Sequence, residues 1–142
     1  MTSCVYCRII EGTLPSEKIY EDEHVIALMD IMPVTKGHLL LIPKKHLENL
    51  YEFTEEEASH LFSVAPKIAN VLKEEFKPAG MNLLQNNGAP AGQAVFHFHM
   101  HFIPRYDETD GYHSNWNPKV EEFTQDRIKE IAQQIRKRFG NE

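Results

Sequence analysis

At 142 residues with a formal charge of -6 and 42% hydrophobic content, the chain has the make-up of one globular domain, 1–142, large enough to bury roughly two-thirds of its unfolded surface. The acid excess argues against an extended nucleic-acid face but allows a small anion held locally. No apolar run reaches membrane-spanning length, and MTSCVYCRII lacks the basic start and unbroken apolar core of a secretory signal; a cytoplasmic location without membrane association is expected.

Along the chain, Cys4-x-x-Cys7 comes first and reads as a redox pair, half a zinc site or coincidence. In a reducing compartment the two are expected as thiols or metal ligands rather than a structural disulfide. EDEHVIALMD at 21–30 is a β-favouring run, punctuated by Pro33 and Lys36-Gly37 before HLLLIP at 38–43. These predict neighbouring antiparallel strands with His38 at the mouth of the second. Thr54 opens T-E-E-E, a capping-box pattern with Glu57 at the third helical position. Ala58, Leu61, Phe62, Ala65, Ile68, Ala69 and Leu72 then follow at spacings of three and four, the apolar stripe of a helix that Pro66 is expected to bend. Pro78-Ala79-Gly80 ends it, and MNLLQNN predicts another strand. The turn-rich NNGAPAG suits an anion-cradling loop and an ordinary strand connection equally.

Residues 93–105 alternate His97, His99 and His101 with Phe96, Phe98, Met100 and Phe102. Read as a strand, this period of two sends the imidazoles to a polar surface and the large apolar groups into a core. After a polar stretch to Pro118, Ile128, Ile131, Ala132, Ile135 and Phe139 mark an amphipathic helix. Arg136, Lys137 and Arg138 complement its C-terminal end, with Gly140 as a cap. The order strand–strand–helix–strand–strand–helix predicts helices packed on a mainly antiparallel sheet.

Three imidazoles in alternation admit two chemistries. Adjacent members of the row can converge on one atom, so His97, His99 and a remote histidine are candidate ligands of a mononuclear zinc hydrolase. Alternatively, one neutral histidine attacks phosphorus while its neighbours orient it, carry protons and stabilise phosphate charge. The pattern singles out the central member, His99, which alone has a histidine on each side. His24, His60 and His113 are expected at the surface or in local hydrogen bonds.

The run from His97 to Phe102 resembles the signature of the histidine-triad (HIT) nucleotide hydrolases and transferases. C-V-Y-C-R-I-I at 4–10, Y-E-D-E at 20–23, A-L-M-D-I at 27–31, G-H-L-L-L-I-P-K-K-H at 37–46 and N-N-G-A-P-A-G-Q at 86–93 extend the similarity over about residues 4–106. The resemblance implies an α+β domain with a mainly antiparallel five-stranded sheet and two principal helices, paired in a homodimer whose sheets join. It implies hydrolysis of nucleoside phosphoramidates, dinucleoside polyphosphates or related purine conjugates through a nucleotidyl-His99 intermediate. His38 and His101 belong to the surrounding cluster, and the carbonyl of His97 fixes the tautomer of His99. Asp30 is expected at the ribose hydroxyls, and Val5, Tyr6, Ile9 and Ile31 around the base, although Val5 and Ile9 also fit a plain core. Asn86 and Gln93 are expected to aim their amides at phosphate or leaving-group oxygens.

Zinc-bearing relatives imply a structural Cys2His2 set of Cys4, Cys7, His46 and His97. Where many family members have serine or threonine, this chain has Ala94, which removes a hydroxyl from the leaving-group side. A nucleotide-binding regulatory protein with vestigial hydrolysis is therefore the alternative. Trp116 is expected either at the partner's active-site rim or over its own core.

Overall fold

The computed structural model describes residues 3–140. The chain forms two compact units that part after Tyr112. In the first, a five-stranded antiparallel sheet has the order β1-β2-β3-β5-β4, with β1 Lys18–Glu21, β2 Val25–Met29, β3 Leu39–Pro43, β4 Gly80–Leu84 and β5 Met100–Arg105. The expected α+β class and five-stranded sheet are present. No helix among the described residues is long and apolar enough to cross a membrane.

Strand alternation sorts the core into two layers. Val25, Ala27, Leu39, Leu41, Phe98, Met100 and Phe102 pack on α2 (Glu55–Phe76) through its Leu61, Val64, Ala65, Ile68 and Leu72. Ile26, Leu28, Leu40 and Ile42 face the other way, onto Ile9 of α1 (Val5–Glu11) with Tyr6, Ile10 and Leu14 around them. Leu40 pairs with His101 across the ladder, so the histidine row lies on the α1 side. Burying each of these large apolar side chains contributes about 1.5–3 kcal/mol before entropy is counted.

The capping box forms as the sequence predicts: Glu57 N–H donates to Thr54 Oγ1 at 3.1 Å, and Thr54 N–H to Glu57 Oε1 at 3.0 Å. Three glutamates in the first turn add a favourable interaction with the helix dipole. α2 runs unbroken through Pro66, which sits at an exposed position where water can serve the carbonyl left without a donor. It ends at Lys77 in the left-handed region, φ 49°.

Three elements depart from the sequence reading. α1 and β1 have no counterpart in the expected order, because seven and four residues are too few to show a period. α1 begins where Cys4 Sγ accepts Cys7 N–H at 3.5 Å and stops at Gly12, φ 87°. β5 is shorter than expected: His97 falls in a bend and His99 in irregular chain before it. The alternation survives there only in part. Phe98 is buried but Phe96 is 42% exposed, and His97, expected on a polar surface, is fully buried on the α1 side.

The second unit carries α3 (Gln125–Arg138), capped by Thr124 Oγ1 on Arg127 N–H at 3.3 Å and followed by Gly140 at φ 81°. Trp116, expected at a partner's rim or over its own core, is 89% exposed.

Candidate functional site

Two groups of side chains meet on the α1 side of the sheet. In the first, α1 brings Cys4 and Cys7, the segment after β3 brings His46, and the approach to β5 brings His97. One ligating atom from each lies within 4.8 Å of the others. Cys4 Sγ and Cys7 Sγ stand 3.4 and 3.5 Å from His97 Nδ1, Cys7 Sγ 3.2 Å from His46 Nδ1, and the two Nδ1 atoms 3.1 Å apart. A tetrahedral zinc with sulfur and nitrogen ligands holds its donors roughly 3.3–3.8 Å apart, so this set fits with shifts of a few tenths of an ångström. The backbone prepares it further. His97 Nε2–H donates to the Pro43 carbonyl at 2.8 Å, which leaves the Nδ1 lone pair facing the sulfurs. Burial, followed by the neighbouring His46 and His99, pushes the His97 imidazole down to about 4, the neutral form a metal requires.

The second group is Asp30, at the end of β2, His38, at the start of β3, and His101 in β5. Here the partners assign opposite tautomers. Val34 N–H donates to His38 Nδ1 at 3.1 Å, so the neutral ring carries its proton on Nε2. That Nε2–H donates to His101 Nδ1 at 2.8 Å, which places the His101 proton on Nε2. Asp30 Oδ2 lies 3.4 Å from His38 Nε2 and 3.7 Å from His101 Nδ1, while its Oδ1 accepts Met32 N–H at 2.8 Å. Burial, then His99 and His38, hold His101 down at about 4, with Asp30 opposing; His38 is lowered too, mainly by burial. At neutral pH the two imidazoles are an oriented line of neutral donors. These three ligating atoms also lie within 4.8 Å of one another, but the line has protons where a metal needs lone pairs. Binding through His38 Nε2 moves its proton to Nδ1, donor against the Val34 donor.

His99 stands between the two groups. Its Nδ1–H donates to the His97 carbonyl at 2.8 Å, leaving the Nε2 lone pair unprotonated. Its ring lies 5.2 Å from His101 and 5.1 Å from Tyr6, centroid to centroid. Burial and the nearby Asp30 and Cys4 charges push the Tyr6 phenol up to about 12, so it stays neutral.

The remaining expected residues divide. Ile31 is 90% exposed and Val5 also lies open, whereas Ile9 is spent in the core layer with Ile26 and Leu40. Gln93 is buried and turned inward: its Nε2 donates to Glu48 and Val95 carbonyls at 2.7 and 3.1 Å, and its Oε1 accepts Gly88 N–H at 2.8 Å. Its amide therefore builds the loop rather than facing outward as expected, because both its N–H groups are spent on backbone carbonyls. Asn86 Nδ2 donates to the Gly92 carbonyl at 3.2 Å. His60 Nε2 meets Asp22 Oδ2 at 2.9 Å with the His24 ring edge-on beside it, and His113 is exposed. Sequence reasoning missed Val34 and Pro43, whose contributions are backbone groups that no residue type advertises.

Comparison with known proteins places this geometry. The HIT domain family model matches residues 11–108. The chain belongs to the HIT family. A Bacillus subtilis relative, Protein hit, is 50% identical over 139 residues, covering 98% of this chain and 96% of its own. The crystal structure of a HIT family member from Bacillus subtilis superposes with a TM-score of 0.93 at 50% identity, covering 96% of this chain and 97% of that one. Adenosine 5'-monophosphoramidase HNT1 of Candida albicans is 35% identical, covering 97% of this chain and 92% of its own. A Zn-bound histidine triad family protein from Mycobacterium smegmatis has a TM-score of 0.72 at 36% identity, covering 92% of this chain and 94% of that one.

Proposed function

We propose that this protein hydrolyses purine nucleotide conjugates, phosphoramidates or phosphoanhydrides, through a covalent nucleotidyl-His99 intermediate. The observation that carries the reading is the bond from His99 Nδ1–H to the His97 carbonyl, which leaves Nε2 as a fixed lone pair. His99 Nε2 attacks the α-phosphorus, the P–N bond forms, and the bond to the leaving group breaks. His101 Nε2–H, held by His38, gives its proton to the departing nitrogen or oxygen as charge develops, and regains one from the water that attacks next. Water then attacks phosphorus, the P–N bond breaks, and nucleoside monophosphate departs with His99 neutral again. Asp30 accepts the ribose hydroxyls, Tyr6, Val5 and Ile31 border the base with Ile9 packed behind them, and Gln93 and Asn86 shape the phosphate loop. The similarity to a named monophosphoramidase supports this substrate class.

Cys4, Cys7, His46 and His97 would hold a structural zinc. When bound, it supplies a cross-link between α1 and the catalytic segment, and four protein donors leave it no open position for substrate. A zinc hydrolase built on His97 and His99 has no such support, since His99 stands outside the donor set. A homodimer formed by continuing the sheet past an edge strand, in the cytoplasm, completes the proposal; β1 and β4 are the edges on which it rests. Light scattering at micromolar concentration should give twice the chain mass, and a chain-sized mass in active protein rejects it.

The deciding experiment mixes the protein briefly with adenosine phosphoramidate and, separately, diadenosine polyphosphates, then measures intact mass. An adenylyl adduct is expected in wild type and absent in His99→Ala. Equal turnover by both proteins sinks the nucleophile assignment. Binding without adduct or turnover across the panel favours the regulatory reading that Ala94 suggests.

A further inference from the structure

Residues 106–112, after β5, touch no part of the reaction drawn above, yet they grip the segment that orients His38. We propose that Asp110 and Gly111 are positioning residues: acting on Val34, they hold His38 in the tautomer that presents Nε2–H to His101. The catalytic consequence rests on the hydrolase reading; the tautomer itself does not.

Val34 is held at both main-chain groups. Its N–H donates to His38 Nδ1 at 3.1 Å, and its carbonyl accepts Gly111 N–H at 2.9 Å. A Cβ at position 111 would stand 2.8 Å from the Val34 oxygen and 3.3 Å from its Cα, so only glycine permits the approach. Asp110, itself nearly buried, closes the turn that delivers Gly111. Its Oδ2 accepts Tyr106 N–H at 2.9 Å and Arg105 Nε–H at 3.0 Å. Arg105 in turn donates to Asn82 Oδ1 at 2.7 Å and the Tyr112 carbonyl at 3.1 Å, which anchors the turn to β4. Two more features fix the same segment: Tyr106 OH donates to the Lys36 carbonyl at 2.7 Å, and a Cβ at Gly37, φ 91°, would press on Phe76 and Pro104 at 3.1–3.2 Å. A neutral histidine ring alone favours the Nε2–H tautomer only modestly. At His38 the Val34 backbone donor and the His101 acceptor strengthen that preference, and the donor is placed by the 105–111 turn.

The test is two-bond nitrogen–proton correlation NMR of the imidazoles in 15N-labelled protein at neutral pH, on wild type, Gly111→Ala, Asp110→Ala and Asp110→Asn. Wild type should show His38 mainly as the Nε2–H form. Gly111→Ala and Asp110→Ala should raise the ratio of Nδ1–H to Nε2–H form about fivefold, the weight of one lost hydrogen bond. Asp110→Asn, which keeps an acceptor oxygen, should restore the wild-type signal. With adenosine phosphoramidate, kcat should fall in the two perturbed variants by the fraction of the Nε2–H form lost, while KM stays within about twofold. A folded Gly111→Ala or Asp110→Ala protein whose His38 keeps the wild-type tautomer ratio overturns the inference. Wild-type protein that shows the expected tautomer but no turnover removes the hydrolase reading and leaves this one standing.

Discussion

The group around His97 and the group around His38 sit side by side and draw on the same residue types, yet they are prepared for opposite tasks. In one, a carbonyl oxygen takes the ring proton of His97 outward, and lone pairs converge with two sulfurs. In the other, an amide proton caps His38 from outside and drives the ring proton inward to His101. A backbone acceptor turns a ring lone pair inward; a backbone donor turns a ring proton inward. Side-chain identity alone does not separate a metal site from a catalytic relay, and the group behind each ring does.

That contrast can be broken most forcefully at its two ends. His101→Ala should lower turnover about 10²–10⁴-fold, the usual worth of a positioned acid–base group, with zinc content unchanged by elemental analysis. Cys7→Ala should do the reverse: zinc content falls toward zero, and stability drops by about 4 kcal/mol where free metal had stood at a thousand times its Kd. Calorimetry with and without added zinc reads that loss. If both variants lose metal and activity together, the two groups are one unit and the distinction fails.

A middling effect concerns pH. His101 is held at about 4, below the ordinary imidazole value near 6.5, so the unfolded chain takes up the proton first as pH falls. Its contribution is fully present above pH 6.5 and is lost between there and pH 4; His38, lowered as well, adds in the same direction. Urea midpoints should therefore decline over that window, and His101→Gln should flatten the slope. An unchanged slope would mean that the buried relay is not what titrates. A smaller effect sharpens the contrast by counting: cobalt titration followed by thiolate-to-metal absorbance should saturate at one ion per chain, because the His38 group presents protons. Two tight equivalents contradict the tautomer assignment. Smallest of all, Ala94→Ser should raise phosphoramidate turnover a few-fold, about one added hydrogen bond in the transition state, seen in kcat by steady-state assay.

Legibility in the sequence followed the range of the interactions. The α2 start and stripe were readable because Thr54, Glu57 and the apolar spacing act within a few residues. α1 was not, since its cap is a cysteine and its buried face amounts to Ile9. The alternating histidines marked the site, but nothing in the period of two foretold that His97 would be buried under α1 while Phe96 lay open. Cys4 and Cys7 announced themselves as a pair; His46 and His97, 39 and 90 residues from Cys7, entered only through family resemblance. Gln93 was noticed for its amide, whose N–H groups turned out to be spent on the backbone it supports.

The order β1-β2-β3-β5-β4 carries a consequence for how the chain is made. The first three strands are neighbours in sequence and can pair as soon as they leave the ribosome. β3 then keeps an open flank until the whole of α2, β4 and the following loop has been synthesised, because its other neighbour is the last strand. Both histidine groups straddle that delay: His46 waits 51 residues for His97, and His38 waits 63 for His101. Closing such loops is slow rather than costly, since doubling their length adds only about 0.6 kcal/mol. A nascent chain stopped short of residue 97 holds Cys4, Cys7, His46, Asp30 and His38, but neither His99 nor His101. On the proposed function, chemistry would thus begin only with the final strand pairing, and an incomplete chain would lack the means to attack the nucleotide pool around it.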